Sequence, residues 1–161
     1  GDIVSIDLGL IHRGLITDSA ITIPVGNVKE ELHILINTTE KALMAGIKSA
    51  KGGNKVKDIS MAIERLAVAK GYGIVEELAG HGVGYAVHED PFVPNFVTDK
   101  NSETLTPGMI IAIEPMFNLG SKSVILDEDG YTYRTRDGKL SAHFEHTILI
   151  TKGDAEILTL I

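Results

Sequence analysis

The distribution of apolar and polar positions divides the chain into an extended beginning, a helical middle and a long second half of short strands. Residues 2–10 and 14–23 read as two strands around the turn His12-Arg13-Gly14, a hairpin signal. Pro24, Gly26 and Asn27 then break the extended run. From Val28 to Ala50 the period changes. Leu32, Leu35, Ile36, Thr39, Leu43 and Ile47 recur at three- and four-residue steps, which predicts a helix with one apolar face. Gly52-Gly53-Asn54 ends it. A second amphipathic helix is expected over Val56–Lys70, burying Ile59, Ile63, Leu66 and Ala67, with Gly71 as its stop. Beyond Gly73 the expected strands are 73–78, 83–88, 109–117, 123–127, 131–136, 142–151 and 154–160, with turns at Asp129-Gly130 and Asp137-Gly138. A hairpin, two helices and then many strands predict an α+β domain over 1–161, its helices against one face of a mainly antiparallel sheet. There are no internal repeats or linker-like stretches.

Composition narrows what such a domain could do. At 161 residues and 43% hydrophobic content the chain can bury a core, and no apolar run is long enough to cross a bilayer. Cysteine is absent, which excludes disulfides and thiolate metal sites and suits a reducing, cytoplasmic setting. Fifteen basic against 22 acidic residues give a net charge of −7, the wrong sign for a nucleic-acid binder and a fitting one for a protein that spends carboxylates on cations. The chain opens at Gly1 inside a strand-like run and without a methionine, so its beginning is expected to be missing.

The chemistry lies in where four carboxylates sit. Asp7 ends the run Ile3-Val4-Ser5-Ile6, and Asp18 lies between Leu15-Ile16-Thr17 and Ser19-Ala20-Ile21. Glu114 follows Met109-Ile110-Ile111-Ala112-Ile113, and Glu145 falls between Ala142-His143-Phe144 and Thr147-Ile148-Leu149-Ile150. A buried carboxylate is costly unless paired, protonated or bound to a metal. Lysines and arginines concentrate in the helices and turns, so four carboxylates in apolar strands call for another partner. His81, between glycines in Gly80-His81-Gly82-Val83-Gly84, is the better companion. An imidazole with four carboxylates suits Mn, Fe, Co or Zn, and two divalent cations balance four negative charges. Taken singly, residues of these types are more often strand ends, caps, ion-pair partners or hydrogen-bonded loop histidines than metal ligands. The dinucleotide fingerprint, the phosphate-loop Gly-Lys-Ser/Thr and the Gly-x-Ser-x-Gly turn are all absent.

Asp7 with Asp18, Gly80-His81-Gly82-Val83-Gly84-Tyr85-Ala86-Val87-His88-Glu89-Asp90-Pro91, Ile113-Glu114-Pro115-Met116 and Ser141-Ala142-His143-Phe144-Glu145-His146-Thr147 together resemble the methionine aminopeptidases of metallopeptidase family M24. The short interval from Glu114 to Glu145 is similar to the type I enzymes. The resemblance implies the pita-bread fold, a curved and mainly antiparallel sheet flanked by helices, here with an incomplete first half. It implies two divalent metal ions (Co, Mn, Fe or Zn) held by Asp7, Asp18, His81, Glu114 and Glu145, with Asp18 and Glu145 bridging. It further implies that Glu114 is the proton shuttle, that His88 contacts the scissile carbonyl, and that peptide and nascent-chain N-termini are the substrates. A second catalytic histidine that precedes the first aspartate in that family has no counterpart here. Asp7-Leu8-Gly9 and Val87-His88-Glu89 are similar to the proline-specific relatives, aminopeptidase P and prolidase, while Pro94-Asn95-Phe96 is methionine-type. Removal of N-terminal methionine is the leading expectation. The alternatives are Xaa-Pro cleavage, or a binding module that keeps the fold without turnover. His12 and His33 are given no catalytic role, and His146 is expected to support the fold from the far side of its strand. The missing half would leave apolar strand surface bare, to be covered by a second copy or another chain.

Overall fold

The structure, a computed structural model, describes residues 1–99 and 102–160. Strands β1 (Ile3–His12) and β2 (Leu15–Pro24) form the expected hairpin, in register from Ile3↔Pro24 to His12↔Leu15. Its two central residues, Arg13 and Gly14, both take positive φ, 51° and 82°. That backbone twist matches the flanking strands, which is why two-residue hairpin turns adopt it. Helices α1 (Glu30–Ser49) and α2 (Val56–Lys70) follow. All six apolar-face positions expected of α1 are buried, as are Ile59, Ile63 and Ala67 of α2. The Asp58 carboxylate accepts from the Lys55 N–H at 2.7 Å to start α2, and Gly71 ends it at φ 70°. Among the described residues no helix is long and apolar enough to cross a membrane.

Among the described residues ten short strands follow: β3 (Gly73–Ile74), β4 (Gly80–Gly82), β5 (Glu89–Val93), β6 (Ile110–Ile113), β7 (Met116–Asn118), β8 (Val124–Leu126), β9 (Tyr133–Thr135), β10 (Ser141–His143), β11 (Glu145–Leu149) and β12 (Glu156–Ile157). A seven-stranded sheet runs β1-β2-β11-β6-β4-β5, with β12 added to β11. A three-stranded sheet, β10-β7-β3, and the β8-β9 hairpin complete the fold. Every named pairing is antiparallel. In the larger of two core clusters among the described residues Leu35, Leu43, Ile59 and Ile63 of the helices meet Ile111, Ile113, Phe117 and Ile148 of the strands, and Val75, Met116 and Val124 form the smaller. The α+β class and the mainly antiparallel sheet therefore stand.

Three expected strands differ in ways that shape the site. The run 109–117 is cut at Glu114-Pro115, because proline has no N–H for a ladder, and its two halves enter different sheets. The run 142–151 is cut opposite, at Phe144, whose N–H bonds Pro115 O at 3.3 Å. The expected strand 83–88 is a loop, with strands on either side of it. Within it Gly84 N bonds Ala86 O at 3.1 Å, and the Glu89 carboxylate closes the loop on Ala86 N at 2.6 Å. The segments expected at 73–78 and 154–160 shrink to the two-residue strands β3 and β12.

Candidate metal centre

Register places the first three carboxylates. Ala20 of β2 pairs with Asp7 of β1 on one side and with Glu145 of β11 on the other. Directly paired residues of an antiparallel sheet point to the same face, so Asp7 and Glu145 converge over the small Ala20 from two strand spacings, about 9–10 Å. Asp18 lies two residues earlier on β2 and shares that face. His81 sits in the middle of β4, Glu114 at the break after β6, and His143 at the end of β10, next to the break at Phe144. The two chain breaks thus aim side chains at the row that the ladder builds.

The result is two overlapping groups of metal-ligating atoms. Oxygen or nitrogen atoms of Asp18, His81 and Glu145 lie within 4.8 Å of one another, and so do those of Asp7, His143 and Glu145. Glu114 joins both: its Oε1 is 3.4 Å from His81 Nε2, and its Oε2 is 3.8 Å from His143 Nε2. His81 Nδ1 donates to the carbonyl of its neighbour Gly82 at 3.0 Å, which leaves the Nε2 lone pair turned toward the carboxylates. Glu145 is 2% exposed, and its Oε1 has no hydrogen-bond partner; His143 Nε2 is buried and equally unpartnered. A buried acceptor and a buried imidazole nitrogen without partners, in an oxygen-rich wall, are what a bound divalent cation would satisfy.

Electrostatics agree. Burial, with the charges of Asp7 and Asp18 added, pushes the Glu114 carboxyl up to about 8. Burial again, then Glu114, Asp18 and Asp7, pushes Glu145 up to about 9. Burial and the neighbouring Asp18 raise Asp7 as well. The same desolvation lowers His143 to about 4 and lowers His81. Both imidazoles are therefore neutral at pH 7, so their contacts with Glu114 are not ion pairs. Without cations the site stores protons on its glutamates, and binding of cations displaces them.

All five residues expected as ligands come together here. They are less uniformly buried than their apolar surroundings suggest: Glu145 is buried, Asp18 and Glu114 are intermediate, and Asp7 is exposed on the outermost strand. His88 stands at the rim, exposed, its ring 4.4 Å from that of His81 in an edge-to-face arrangement. His146 points to the other face, where Nδ1 meets Thr159 Oγ1 at 2.8 Å. His143 is the residue that sequence reasoning passed over. The signal was present, since it stands two positions before Glu145 in the expected strand 142–151, where alternation would put both on one face. Lys100, Asn101 and Ile161 lie outside the described residues and carry no site assignment.

Comparison with known proteins bears on this centre. The chain is 48% identical over 161 residues to methionine aminopeptidase of Clostridium perfringens, covering all of this chain and 65% of that protein. It is 47% identical to the enzyme of that name from Aquifex aeolicus, covering 99% of this chain and 62% of the relative. The crystal structure of methionine aminopeptidase from Thermotoga maritima superposes with a TM-score of 0.96 at 43% identity, over 100% of this chain and 65% of that one. Prolidase from Pyrococcus furiosus shares the fold at a TM-score of 0.79 and 28% identity, over 100% of this chain and 42% of that one. The chain thus spans about two thirds of the methionine aminopeptidases it matches. The profile of metallopeptidase family M24 matches residues 1–152, nearly the whole chain and every residue of the carboxylate–histidine cluster, so this chain belongs to metallopeptidase family M24.

Proposed function

We propose that this chain carries the catalytic site of a two-cation aminopeptidase that removes N-terminal methionine from peptides and nascent chains in the cytoplasm. Asp7, Asp18, His81, Glu114 and Glu145 would hold the cations, which are Co, Mn, Fe or Zn by the chemistry of the donors. When bound, such cations supply a positive charge that acidifies water and polarises a peptide carbonyl. Glu114 would take a proton from the attacking water and return it to the leaving amine, a task suited to a carboxyl pushed up to about 8. His88, exposed at the rim beside His81, would meet the scissile carbonyl or the tetrahedral species that follows.

The observation that carries this reading is the convergence of the carboxylates and His81 in a chain 48% identical to a methionine aminopeptidase. A proline-directed activity has its own support in Val87-His88-Glu89 and in the fold shared with prolidase at 28% identity, the lower of the two likenesses. Hydrolysis of Met-Ala-Ser and of an Xaa-Pro peptide with added Co, Mn or Fe separates them. The expected result is cation-dependent release of methionine that falls at least about 100-fold in Glu114→Ala, the size of a general acid–base contribution. Release from the Xaa-Pro peptide alone would overturn the methionine assignment. Two bound cations with no turnover of either peptide would mean that the site is kept without a competent substrate pocket.

A further inference from the structure

The site contains a nitrogen that the proposed ligand set leaves unused. We infer that His143 is a direct ligand, supplying the imidazole nitrogen for the cation on the Asp7 side of the centre. The inference rests on the two-cation reading and deepens it.

The two groups of ligating atoms have the same make-up. Asp18, His81 and Glu145 form one; Asp7, His143 and Glu145 form the other, and each has its ligating atoms within 4.8 Å. Glu145 is common to both, so each half consists of one aspartate, one imidazole and a share of one glutamate. His143 Nε2 is buried and has no hydrogen-bond partner; its contact with Glu114 Oε2, at 3.8 Å, is too long to be one. One oxygen of the shared ligand, Glu145 Oε1, is unpartnered as well. A bound cation would satisfy unpartnered atoms of this kind.

The position is also held. Thr22 Oγ1 donates to the His143 carbonyl at 2.7 Å and accepts from the His143 N–H at 2.8 Å, which fixes the histidine backbone to β2, the strand that carries Asp18 and Ala20. A side chain anchored this way on both backbone groups is preorganised toward the row of carboxylates. An imidazole on each side also predicts which cations are favoured. Nitrogen donors suit Co, Fe and Zn, whereas an all-oxygen second position would suit Mn or Mg.

The test is a Co(II) titration of the metal-free chain, read by calorimetry and by visible absorption, for wild type, His143→Ala, His143→Gln and His81→Ala. Wild type is expected to bind two equivalents. Each His143 variant should keep the equivalent that His81→Ala weakens and bind the other at least about 10-fold more weakly, a floor set by what removal of a mere outer-shell partner costs. In the Co(II)-loaded protein, shifted imidazole N–H resonances should fall from two in wild type to one in His143→Gln. Two equivalents bound with wild-type affinity in both His143 variants would overturn the inference and leave the two-cation reading intact. Loss of the same equivalent that His81→Ala removes would also overturn it, by showing that His143 acts through Glu114. No Co(II) bound by wild type would overturn the two-cation reading itself. Melting of the metal-free variants checks their fold, and the amide of His143→Gln serves if the alanine variant is unstable.

Discussion

Thr147 shows how a single hydroxyl can replace a stretch of β-ladder. The pairing of β2 with β11 covers only Glu145↔Ala20 and His146↔Ser19. At the next step Thr147 Oγ1 accepts from Asp18 N at 2.8 Å and donates to Asp18 O at 2.7 Å. Thr22 does the same for His143 at the other end of the pairing. Both threonines are buried, so losing either hydroxyl strands two backbone groups away from water. Thr147→Val should therefore lower stability by about 1–3 kcal/mol, read as a fall in the urea midpoint, while Thr147→Ser stays close to wild type. Equal midpoints for the two variants would show that the hydroxyl does not hold Asp18. At this scale much was legible from sequence, because carboxylates interrupting apolar strands have few ways to be stabilised. What escaped was the role of partners remote in the chain. Nothing near Asp18 announces a threonine 129 positions away.

Glycine spacing governs the element that brings His81 in. A Cβ on Gly82 would lie 2.1 Å from Asp90 O, and one on Gly80 would lie 2.3 Å from Ala112 O. Strand β4 is squeezed between β5 and β6, and only hydrogens fit on either side of His81. Gly84, in the loop beyond, meets only the Glu89 carboxylate, at 3.9 Å. Gly82→Ala is expected to cost about 1–3 kcal/mol or more through overpacking, and to weaken cation binding as His81 is displaced. Gly84→Ala should stay within about 0.5 kcal/mol of wild type. Thermal melts of the two variants compare them directly, and similar melting points would refute the close-approach argument. The helices were the most legible elements, since each repeats one apolar face over many residues. The strands were less so. A run such as 109–117 is uniformly apolar whether it forms one strand or two, and only the Pro115 break and its neighbour Phe144 decide that it crosses between sheets.

At the scale of the molecule, the sheet is covered unevenly. His146 of β11 pairs with Ser19 of β2 and Ile113 of β6, so the face carrying Ile113 and Ile148, on which the helices pack, continues onto the hairpin. There Val4, Ile6, Leu8 and Leu10 of β1 stand beside Leu15, Ile21 and Ile23 of β2, each between 41% and 59% exposed. Strand β1 is also a sheet edge, pairing among the described residues only with β2. Seven aliphatic side chains on one face, next to a ten-residue edge with free backbone groups, make a surface that seeks a partner. For the chain on its own, a second copy would be such a partner, since its edge strand and apolar face match by symmetry. The net charge of −7 opposes that association only weakly once salt screens it. Sedimentation at micromolar concentration in 0.15 M salt should therefore show a concentration-dependent dimer. Leu8→Lys combined with Leu10→Lys should shift it to monomer with its helical circular dichroism unchanged, because both side chains point away from the carboxylate face. A wild-type chain that stays monomeric up to about 100 μM would mean that the hairpin tolerates its bare apolar face, and the edge-pairing argument would fail.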